Sequence, residues 1–329
     1  MTKTILVFTL LLFPFSSFAQ IGLSKIEFKD KLRNRMINTF VFYPTDETLT
    51  STFAENAAFY GFRAVENSSV SKDGLPFYIL VHGTSGNWRN TSWLAKELAK
   101  NAIVVSANFP DYTTGEATPE FVLKPWNQPK DVSFLIDAVS ASPFGKHIDQ
   151  NRVVVIGNSL GGYTAMALSG ATIDLRRYQE FCKTHSDKSC AYFQEAIEKL
   201  STTNIEKAKQ SLFDKRIKAS IAITPGFTES MSRESLKDSK TPMLIISAEN
   251  DLNIPAKTHL SNIPENIEQH QIKESSHFSF LQVCKPNAKA ILSEDGAGFV
   301  CEDSGNKSRP EIHKETIGLI RNFLAKHGL

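Results

Sequence analysis

A run of β-branched residues leads directly into a Gly-x-Ser-x-Gly motif in the middle of this chain. Val153-Val154-Val155-Ile156 precedes Gly157-Asn158-Ser159-Leu160-Gly161, and residues 163–168 have spacing compatible with a helix. This order predicts a strand, a sharp turn at 157–161, here called the elbow, and a helix, with Ser159 strained at the turn and its hydroxyl exposed. Glycine is needed on both sides of the serine because larger side chains would crowd such a turn.

The length and composition are compatible with a large folded core. The chain has 329 residues, of which 41% are hydrophobic and 22% are charged, enough for one large α/β domain or two small ones. A formal charge of +2 gives no indication of a nucleic-acid or acidic partner. No linker separates two halves, so we predict a single domain over residues 20–329.

The first nineteen residues have the pattern of a secretory signal peptide. Lys3 supplies a positive charge, residues 5–15 are apolar apart from Thr9 and Pro14, and Ser17-Phe18-Ala19 fits a cleavage site. The alternative is an uncleaved anchor, but the apolar run is too short to span a bilayer. We therefore predict a signal peptide at 1–19 and an exported protein, periplasmic or secreted, with no integral membrane segment after cleavage.

Four cysteines follow this segment: Cys182, Cys190, Cys284 and Cys301. An even number in an exported chain favours disulfides, and proximity in sequence favours the pairs Cys182–Cys190 and Cys284–Cys301. One alternative is four buried free thiols in a cytosolic chain. Another is a zinc site at Cys182, His185 and Cys190, which lacks a fourth ligand and the usual spacing.

Strand-like and helix-like segments alternate along the rest of the chain. The continuous apolar run at 77–81 is typical of a strand buried on both faces, and the apolar spacing at 129–140 predicts an amphipathic helix. Further strands are predicted at 36–43, 103–105, 153–156, 217–223, 243–247 and 267–272, and further helices at 91–100 and 311–327. This alternation predicts an α/β fold in which helices flank a mostly parallel sheet.

Residues 175–214 interrupt the alternation between the elbow helix and the next strand. They carry many charges, two of the cysteines and no clear strand, while 178–182 and 192–200 look like short helices. We predict a helical insertion here. The sequence leaves two interpretations open: a cap over or beside the active site, or a peripheral addition with no part in substrate binding.

The motif at Ser159 requires two partners. A serine hydroxyl is a poor nucleophile at neutral pH, so it needs a histidine base and an acid that orients this base. With a strand–elbow–helix arrangement, the acid and then the histidine follow the serine along the chain. Asp251 follows the strand at 243–247 by a tight polar turn and is the preferred acid. Glu249 is the rival, on a longer and more flexible side chain.

Besides His185, five histidines follow Ser159, and their positions separate them. His277 lies just beyond the last predicted strand, where the base must be, and we predict that it is the base. The others are His259 at the start of a helix after the acid loop, His270 within a strand, His313 in the closing helix and His327 at the C-terminus.

Two backbone amides are predicted to bind the oxyanion that develops during acyl transfer. One is the N–H of Leu160, directly after the serine, and the other comes from the glycine-containing loop at 81–86. In that loop Thr84 is the preferred donor, through its main chain. His82 precedes Ser159, which violates the expected order for a base, so we predict that it shapes the loop.

Together these residues resemble the α/β-hydrolase superfamily, and more narrowly the dienelactone-hydrolase-like and platelet-activating-factor-acetylhydrolase-like serine esterases. The resemblance extends from about residue 36 to the end and rests on 81–83, 157–163, 249–251 and 276–278. It implies the α/β-hydrolase fold with no metal and no organic cofactor. The roles it implies are Ser159 as nucleophile, Asp251 as acid, His277 as base, and Thr84 and Leu160 as the oxyanion hole.

Two positions depart from the family pattern. Asn158 stands where a histidine is common before the serine, which alters the packing of the elbow but leaves its chemistry intact. True dienelactone hydrolases use a cysteine nucleophile, so Ser159 argues against dienelactone as the substrate.

The favoured function is an exported serine carboxylesterase or lipase-like acyl hydrolase that acts on a small-molecule or lipid ester through an acyl-enzyme intermediate. An acyltransferase or a peptidase-like hydrolase would use the same residues with a different acceptor or substrate. A non-catalytic binding protein is less favoured, because all three triad positions are filled in the expected order. The acyl group is not indicated: Phe109, Tyr112 and Trp126 either line a pocket or pack within surface loops.

Overall fold

One mixed sheet runs through residues 20–329, the part of the chain that the computed structural model describes. The predicted signal peptide at 1–19 lies outside the described residues. The sheet has ten strands in the order β10-β9-β8-β7-β5-β6-β2-β1-β4-β3. They are β1 Gln20–Asp30, β2 Arg35–Thr45, β3 Thr50–Phe53, β4 Phe62–Glu66, β5 Leu75–Val81, β6 Ile103–Asn108, β7 Ile148–Asn158, β8 Ile217–Ile223, β9 Met243–Ala248 and β10 Glu268–Ile272.

The half of the sheet from β6 to β10 is parallel throughout. Its strands are apolar in near-continuous runs, and every residue of β5 and β9 is buried. Strands of this composition must be buried on both faces of the sheet. The helices that connect parallel strands pack on these faces and bury them. Because the strands are parallel, their carboxyl ends lie at one edge of the sheet, where loops from several strands meet.

Eleven α-helices accompany the sheet within the described residues. They are α1 Ser92–Leu98, α2 Pro119–Val122, α3 Asn127–Ser140, α4 Leu160–Leu168, α5 Leu175–Thr184, α6 Lys188–Glu198, α7 Thr202–Ala208, α8 Arg233–Asp238, α9 Ala256–His259, α10 Ala288–Ser293 and α11 Arg309–Lys326. None of these helices combines the length and the hydropathy needed to cross a membrane.

Alternate residues of β5 enter two separate apolar cores. Phe77 and Ile79 belong to the core that also contains residues of α3, α4 and the insertion. Tyr78 and Leu80 belong to the core on the other face, with residues of α1 and α11. The side-chain period of two along a strand produces this separation, so the predicted α/β architecture with helices on both faces is confirmed.

The edge of the sheet beyond β6 differs from the prediction. The strand predicted at 36–43 is the core of β2, but β1, β3 and β4 were not predicted. β1 and β2 pair antiparallel over eleven residues each, and β2 continues antiparallel onto β6. These strands therefore extend a parallel sheet with an antiparallel hairpin.

The insertion at 175–214 consists of three helices, α5, α6 and α7, where two were predicted. Side-chain caps begin all three: Asp174 for α5, Asp187 for α6 and Ser201 for α7 each accept a hydrogen bond from a first-turn amide. Tyr178 and Phe193 point their rings at Phe227, with centroid separations of 5.1 and 5.5 Å. The insertion therefore packs against the loop that follows β8.

Both predicted disulfides are present. Cys182 at the end of α5 is bonded to Cys190 in α6, and Cys284 is bonded to Cys301 across a separation of 17 residues. The first bond uses both sulfur atoms that the zinc alternative with His185 would need. The described residues contain no free cysteine, which fits an oxidising compartment.

The aromatic residues considered as pocket walls belong to the apolar core. Phe109, Tyr112 and Trp126 are at most 4% exposed and pack with residues of α3. Asp111 forms an ion pair with Arg35, with 2.6 Å between the carboxylate and guanidinium atoms. This segment therefore packs against the sheet and does not form a pocket wall.

Candidate active site

Ser159 lies at a sharp turn between β7 and α4, with φ 55° and ψ −118°. A positive φ is unfavourable for a residue with a side chain, so neighbouring contacts must hold it. A Cβ built on Gly157 would lie 1.9 Å from the carbonyl oxygen of Gly161, and one built on Gly161 would lie 2.1 Å from that of Val81. Both glycines are therefore required by packing.

The end of β8 and the loop that follows it hold this turn from one side. The Ser159 amide donates a hydrogen bond to the Ile223 carbonyl at 2.9 Å, and the Gly226 amide donates to the Ser159 carbonyl at 3.0 Å. The side-chain amide of Asn158 donates to Thr224 Oγ1 at 3.1 Å. Sequence reasoning missed this loop, although it directly follows a predicted strand whose end lies at the same edge of the sheet.

Ser159, His277 and Asp251 form a continuous hydrogen-bonded chain. His277 Nε2 is 3.1 Å from Ser159 Oγ, and His277 Nδ1 is 2.7 Å from Asp251 Oδ2. Because a carboxylate only accepts, Nδ1 carries the proton and Nε2 accepts from the serine hydroxyl. His277 is 6% exposed and Asp251 4%, so these two side chains are shielded from water, while Ser159 is partly exposed.

The two candidate acids have different surroundings. Asp251 Oδ1 accepts hydrogen bonds from the amides of Asn253 and Ile254, both at 2.8 Å, which leaves Oδ2 for the histidine. Glu249 is exposed and accepts from Lys273 at 2.7 Å; this hydrogen bond is the main cause of its lowered pKa. The structure therefore brings Asp251, and not Glu249, against His277.

Three of the other histidines lie away from Ser159. His270 is exposed on β10, where it bonds to Glu268, and His327 caps the end of α11. His313 stacks on Trp93 with a centroid separation of 3.7 Å, and burial lowers its pKa to about 3. These histidines have structural contacts only.

His259 is buried between two carboxylates. It ends α9 rather than starting it, and its ring nitrogens lie 3.0 Å from Glu229 and 2.9 Å from Asp187. Burial by itself would lower the pKa of His259, but the hydrogen bonds to Asp187 and Glu229 outweigh this effect and raise the pKa to about 9. Since Asp187 caps α6, this imidazolium connects the insertion to the loop after β8.

The predicted oxyanion donors belong to two segments that lie beside Ser159. Leu160 is the first residue of α4, so its amide has no acceptor within the helix. Thr84 follows Gly83, and a Cβ built on Gly83 would lie 2.8 Å from Ser159 Cβ. The glycine thus allows the loop after β5 to approach the serine closely.

His82 fixes the conformation of this loop. Its Nδ1 donates to the Gly83 carbonyl at 2.8 Å, and its Nε2 accepts from the Phe109 amide at 3.3 Å. Burial lowers the pKa of His82 to about 4, so the ring is neutral near pH 7. Its contacts shape the loop and do not reach Ser159.

The insertion reaches the same loop through α6. The Tyr192 hydroxyl is within reach of the Ser85 side chain, one residue after Thr84; burial raises the pKa of Tyr192, and the Ser85 contact opposes this rise. Sequence reasoning did not select Tyr192, because nothing in a short amphipathic helix indicates which loop it will contact.

A family model described as the alpha/beta hydrolase family matches residues 78–285. This match covers more than half of the 329 residues and includes all of the positions just described from His82 to His277. The chain belongs to the alpha/beta hydrolase family. The membership confirms the superfamily that the elbow and the His277 segment indicated.

Among solved structures, this hydrolase is similar to a ferulic acid esterase from Streptomyces cinnamoneus. The two share 15% sequence identity with a TM-score of 0.62, over 95% of this chain and 91% of the other. At this identity the similarity establishes the fold alone. No curated protein sequence matches the chain significantly.

Proposed function

We propose that this hydrolase is a serine carboxylesterase that works through an acyl-enzyme intermediate. The observation that carries the proposal is the hydrogen-bonded chain from Ser159 Oγ through His277 to Asp251, with separations of 3.1 and 2.7 Å. These are the contacts that a serine needs to lose its proton as it attacks a carbonyl.

In the first step, Ser159 Oγ attacks the ester carbonyl carbon while His277 Nε2 accepts the hydroxyl proton. The carbonyl oxygen becomes an oxyanion and accepts hydrogen bonds from the amides of Leu160 and Thr84. Asp251 stabilises the imidazolium and keeps its Nδ1–H directed away from the serine. The tetrahedral intermediate then collapses, and His277 gives its proton to the departing alcohol.

In the second step, His277 Nε2 takes a proton from water, and the resulting hydroxide attacks the acyl carbon of the ester on Ser159. The same two amides bind the second oxyanion. His277 returns the proton to Ser159 Oγ as the carboxylic acid leaves. Residues 175–214 would act as a cap beside the site, since Tyr178 and Phe193 pack on Phe227 in the loop whose Gly226 amide bonds to the Ser159 carbonyl.

The proposed substrate is a small-molecule or lipid ester met outside the cytoplasm. The two disulfides support export, because such bonds persist in oxidising compartments. The fold similarity to a ferulic acid esterase makes methyl ferulate a reasonable member of the substrate panel.

The decisive variant is Ser159→Ala. Hydrolysis of p-nitrophenyl acetate and butyrate is expected to fall by about 10⁴-fold or more, because the nucleophile is lost. A fluorophosphonate probe is expected to label the wild-type chain at Ser159 and to leave the variant unlabelled. Ser276→Ala is the matched control, because this serine adjoins His277 but bonds to Ser279.

Wild-type turnover in folded Ser159→Ala would refute the proposal. Product analysis with added alcohols and amines separates hydrolysis from acyl transfer: free carboxylic acid as the main product supports the esterase, and a transferred acyl group supports the alternative.

A further inference from the structure

The loop at residues 224–230, which follows β8 and holds the Ser159 turn, has an unfavourable backbone conformation. Thr224 and Phe227 have φ 43° and 57°, in the left-handed region that β-branched and bulky residues rarely adopt. Such conformations persist only where surrounding contacts hold them, and they cluster at functional sites. The Gly226 amide lies between these two residues and donates to the Ser159 carbonyl at 3.0 Å. The contacts that hold the 224–230 loop therefore also hold Ser159.

His259 bonds to the far end of this loop through its ring and its backbone. Its Nδ1 donates to Glu229 Oε2 at 3.0 Å, and its carbonyl accepts from Thr228 Oγ1 at 2.6 Å. One helical turn at Thr228–Ser230, in which the Ser230 amide donates to the Phe227 carbonyl at 3.0 Å, joins these residues to the strained part of the loop. His259 is fully buried, so its bonds to the loop are shielded from water.

Glu229 depends on His259 for the compensation of its charge. The Glu229 side chain is 5% exposed, and its second oxygen, Oε1, has no hydrogen-bond partner among the described residues. A buried carboxylate costs free energy unless it is paired and hydrogen-bonded, and the His259 ring at 3.0 Å is the cation that pairs with it. Removal of this ring would leave a buried negative charge without compensation, which favours rearrangement of the loop.

Asp187 connects the insertion to the same ring. Its Oδ2 accepts from His259 Nε2 at 2.9 Å, while its Oδ1 accepts from the Cys190 amide at 2.9 Å and so caps α6. The Cys182–Cys190 disulfide closes the short segment between α5 and α6 that contains Asp187. Because both ring partners are carboxylates, both ring nitrogens donate. His259 is thus bonded at the same time to the insertion and to the 224–230 loop.

We propose that His259 is a positioning residue for hydrolysis: its imidazolium docks the insertion onto the 224–230 loop and so keeps Ser159 in place. This inference rests on the proposed function. The reach of Ser159 Oγ to His277 then depends on a side chain that touches neither the substrate nor the reacting atoms. The insertion would contribute to the reaction through this contact, whether or not it also covers the substrate.

The titratable groups around the ring predict how this role changes with pH. They are Asp187 from α6, Glu229 from the 224–230 loop and Tyr178 from α5, which lies near both carboxylates. Burial raises the pKa of the Tyr178 phenol well above its usual value of 10. Burial would also raise the pKa of Asp187, but the hydrogen bond from His259 lowers it. Despite burial, the two carboxylates raise the pKa of His259 to about 9. Docking is therefore strongest near pH 7 and weakens as the pH rises through 9.

The test measures kcat and KM on p-nitrophenyl acetate, and the rate at which a fluorophosphonate labels Ser159, in wild type, His259→Gln and Glu229→Gln. A displaced nucleophile is expected to lower kcat and the labelling rate by about 10- to 100-fold at pH 7, with KM little changed. The ratio of the wild-type labelling rate to that of His259→Gln is expected to shrink from pH 7 to pH 10. Asp187→Asn keeps a cap for α6 and is expected to lose activity in the same direction.

Asp131→Asn is the matched control for the loss of a buried ion pair. Asp131 is buried on α3 and lies 2.8 Å from Arg33 and 2.7 Å from Arg35, and neither partner belongs to the 224–230 loop. This variant is expected to be less stable than wild type and to keep the wild-type kcat. Urea denaturation gives the folded fraction of every variant, and each rate is divided by that fraction.

The outcomes are separable. Wild-type kcat and labelling rates in folded Glu229→Gln and His259→Gln overturn the positioning role, and so does an equal loss in Asp131→Asn or a rise in KM with kcat unchanged. In these cases, Ser159-dependent hydrolysis leaves the proposed function standing. If His259→Gln does not fold, Glu229→Gln decides, together with the labelling rates of wild type and Asp131→Asn from pH 7 to pH 10. If wild type hydrolyses no ester faster than Ser159→Ala, the proposed function fails and this inference fails with it.

Discussion

His277 is placed by partners from distant parts of the sequence, and each partner restricts one of its ring nitrogens. Asp251 accepts from Nδ1, and two backbone amides in the acid loop hold Asp251 in turn. A carboxylate fixed in this way keeps the imidazole in one tautomer, so that Nε2 is free to accept a proton from Ser159. The other loop carboxylate, Glu249, is exposed and bonded to Lys273.

These surroundings predict that replacing the two acids by their amides has different effects on kcat. Asp251→Asn is expected to lower kcat by about 10³- to 10⁴-fold, because the amide supports the wrong tautomer of His277. Glu249→Gln, the matched control two residues away, is expected to stay within about 3-fold of wild type, as for an exposed ion pair. Steady-state kinetics on p-nitrophenyl butyrate provide the measurement. Equal losses in both variants would contradict the assignment of the acid.

At the scale of elements, the loop after β8 connects the elbow to the insertion. Its backbone bonds to Ser159 on one side, while Phe227 packs under Tyr178 and Phe193 of α5 and α6. Glu229, in the same loop, shares His259 with the cap residue of α6, Asp187. A buried imidazolium with two carboxylate partners is costly to disrupt, because removing it leaves buried charges without a partner.

The His259 cluster predicts a specific pH dependence of stability. Its pKa is about 9 in the folded chain and 6.5 in the reference state, so its stabilisation is fully present below pH 6.5 and is lost as pH rises through 9. His259→Gln is expected to destabilise the chain by about 3 kcal/mol near pH 7.

Urea denaturation of wild type and His259→Gln from pH 7 to pH 10 measures this effect. The difference in unfolding free energy between the two proteins is expected to shrink as the pH rises. His270→Gln serves as the control, because His270 is exposed on β10. A difference that is the same at pH 7 and pH 10 would show that the charge on His259 does not contribute.

The whole molecule has two covalent constraints outside its sheet. Cys182–Cys190 joins α5 to α6, and Cys284–Cys301 closes the segment that contains α10 and follows His277. Neither bond links strands of the sheet. Each bond is nevertheless expected to stabilise both the segment that it closes and the fold as a whole. The single-domain organisation over 20–329 and the cap role of 175–214 stay predictions.

Paired Cys→Ser replacements test these bonds. Loop-closure entropy predicts a loss of about 3 kcal/mol for the Cys284–Cys301 pair and about 2.5 kcal/mol for the shorter Cys182–Cys190 loop. Urea denaturation of the two double variants against wild type gives the values. Unfolding midpoints unaffected by both replacements would show that the bonds add nothing to stability.

Export is tested on the full chain in a bacterial host with a periplasm. N-terminal sequencing of the protein recovered from outside the cytoplasm is expected to begin at Gln20, because Ser17 and Ala19 place small residues at the cleavage site. Recovery of the intact Met1 terminus in the membrane fraction would instead support the uncleaved anchor.

The parallel half of the fold was predictable because its signals are local. The strand at 217–223 has the bounds of β8, and the helix predicted at 129–140 is the body of α3, since their residues are apolar in the pattern that burial requires. β1 was missed because only part of it is buried and its polar positions obscure the alternation. Its stability comes from eleven residue pairs with β2, which no short window contains.

The sequence by itself determined the elbow and the order of the candidate catalytic residues and favoured the two cysteine pairs, because each depends on neighbouring residues or on chain order. Only the tertiary structure brought Asp251, and not Glu249, against His277, placed His259 between Asp187 and Glu229, and set Gly226 beside the Leu160 amide. Those relations join residues 26 to 72 positions apart. They arise where loops from parallel strands converge, and local sequence carries no information about distances across that edge.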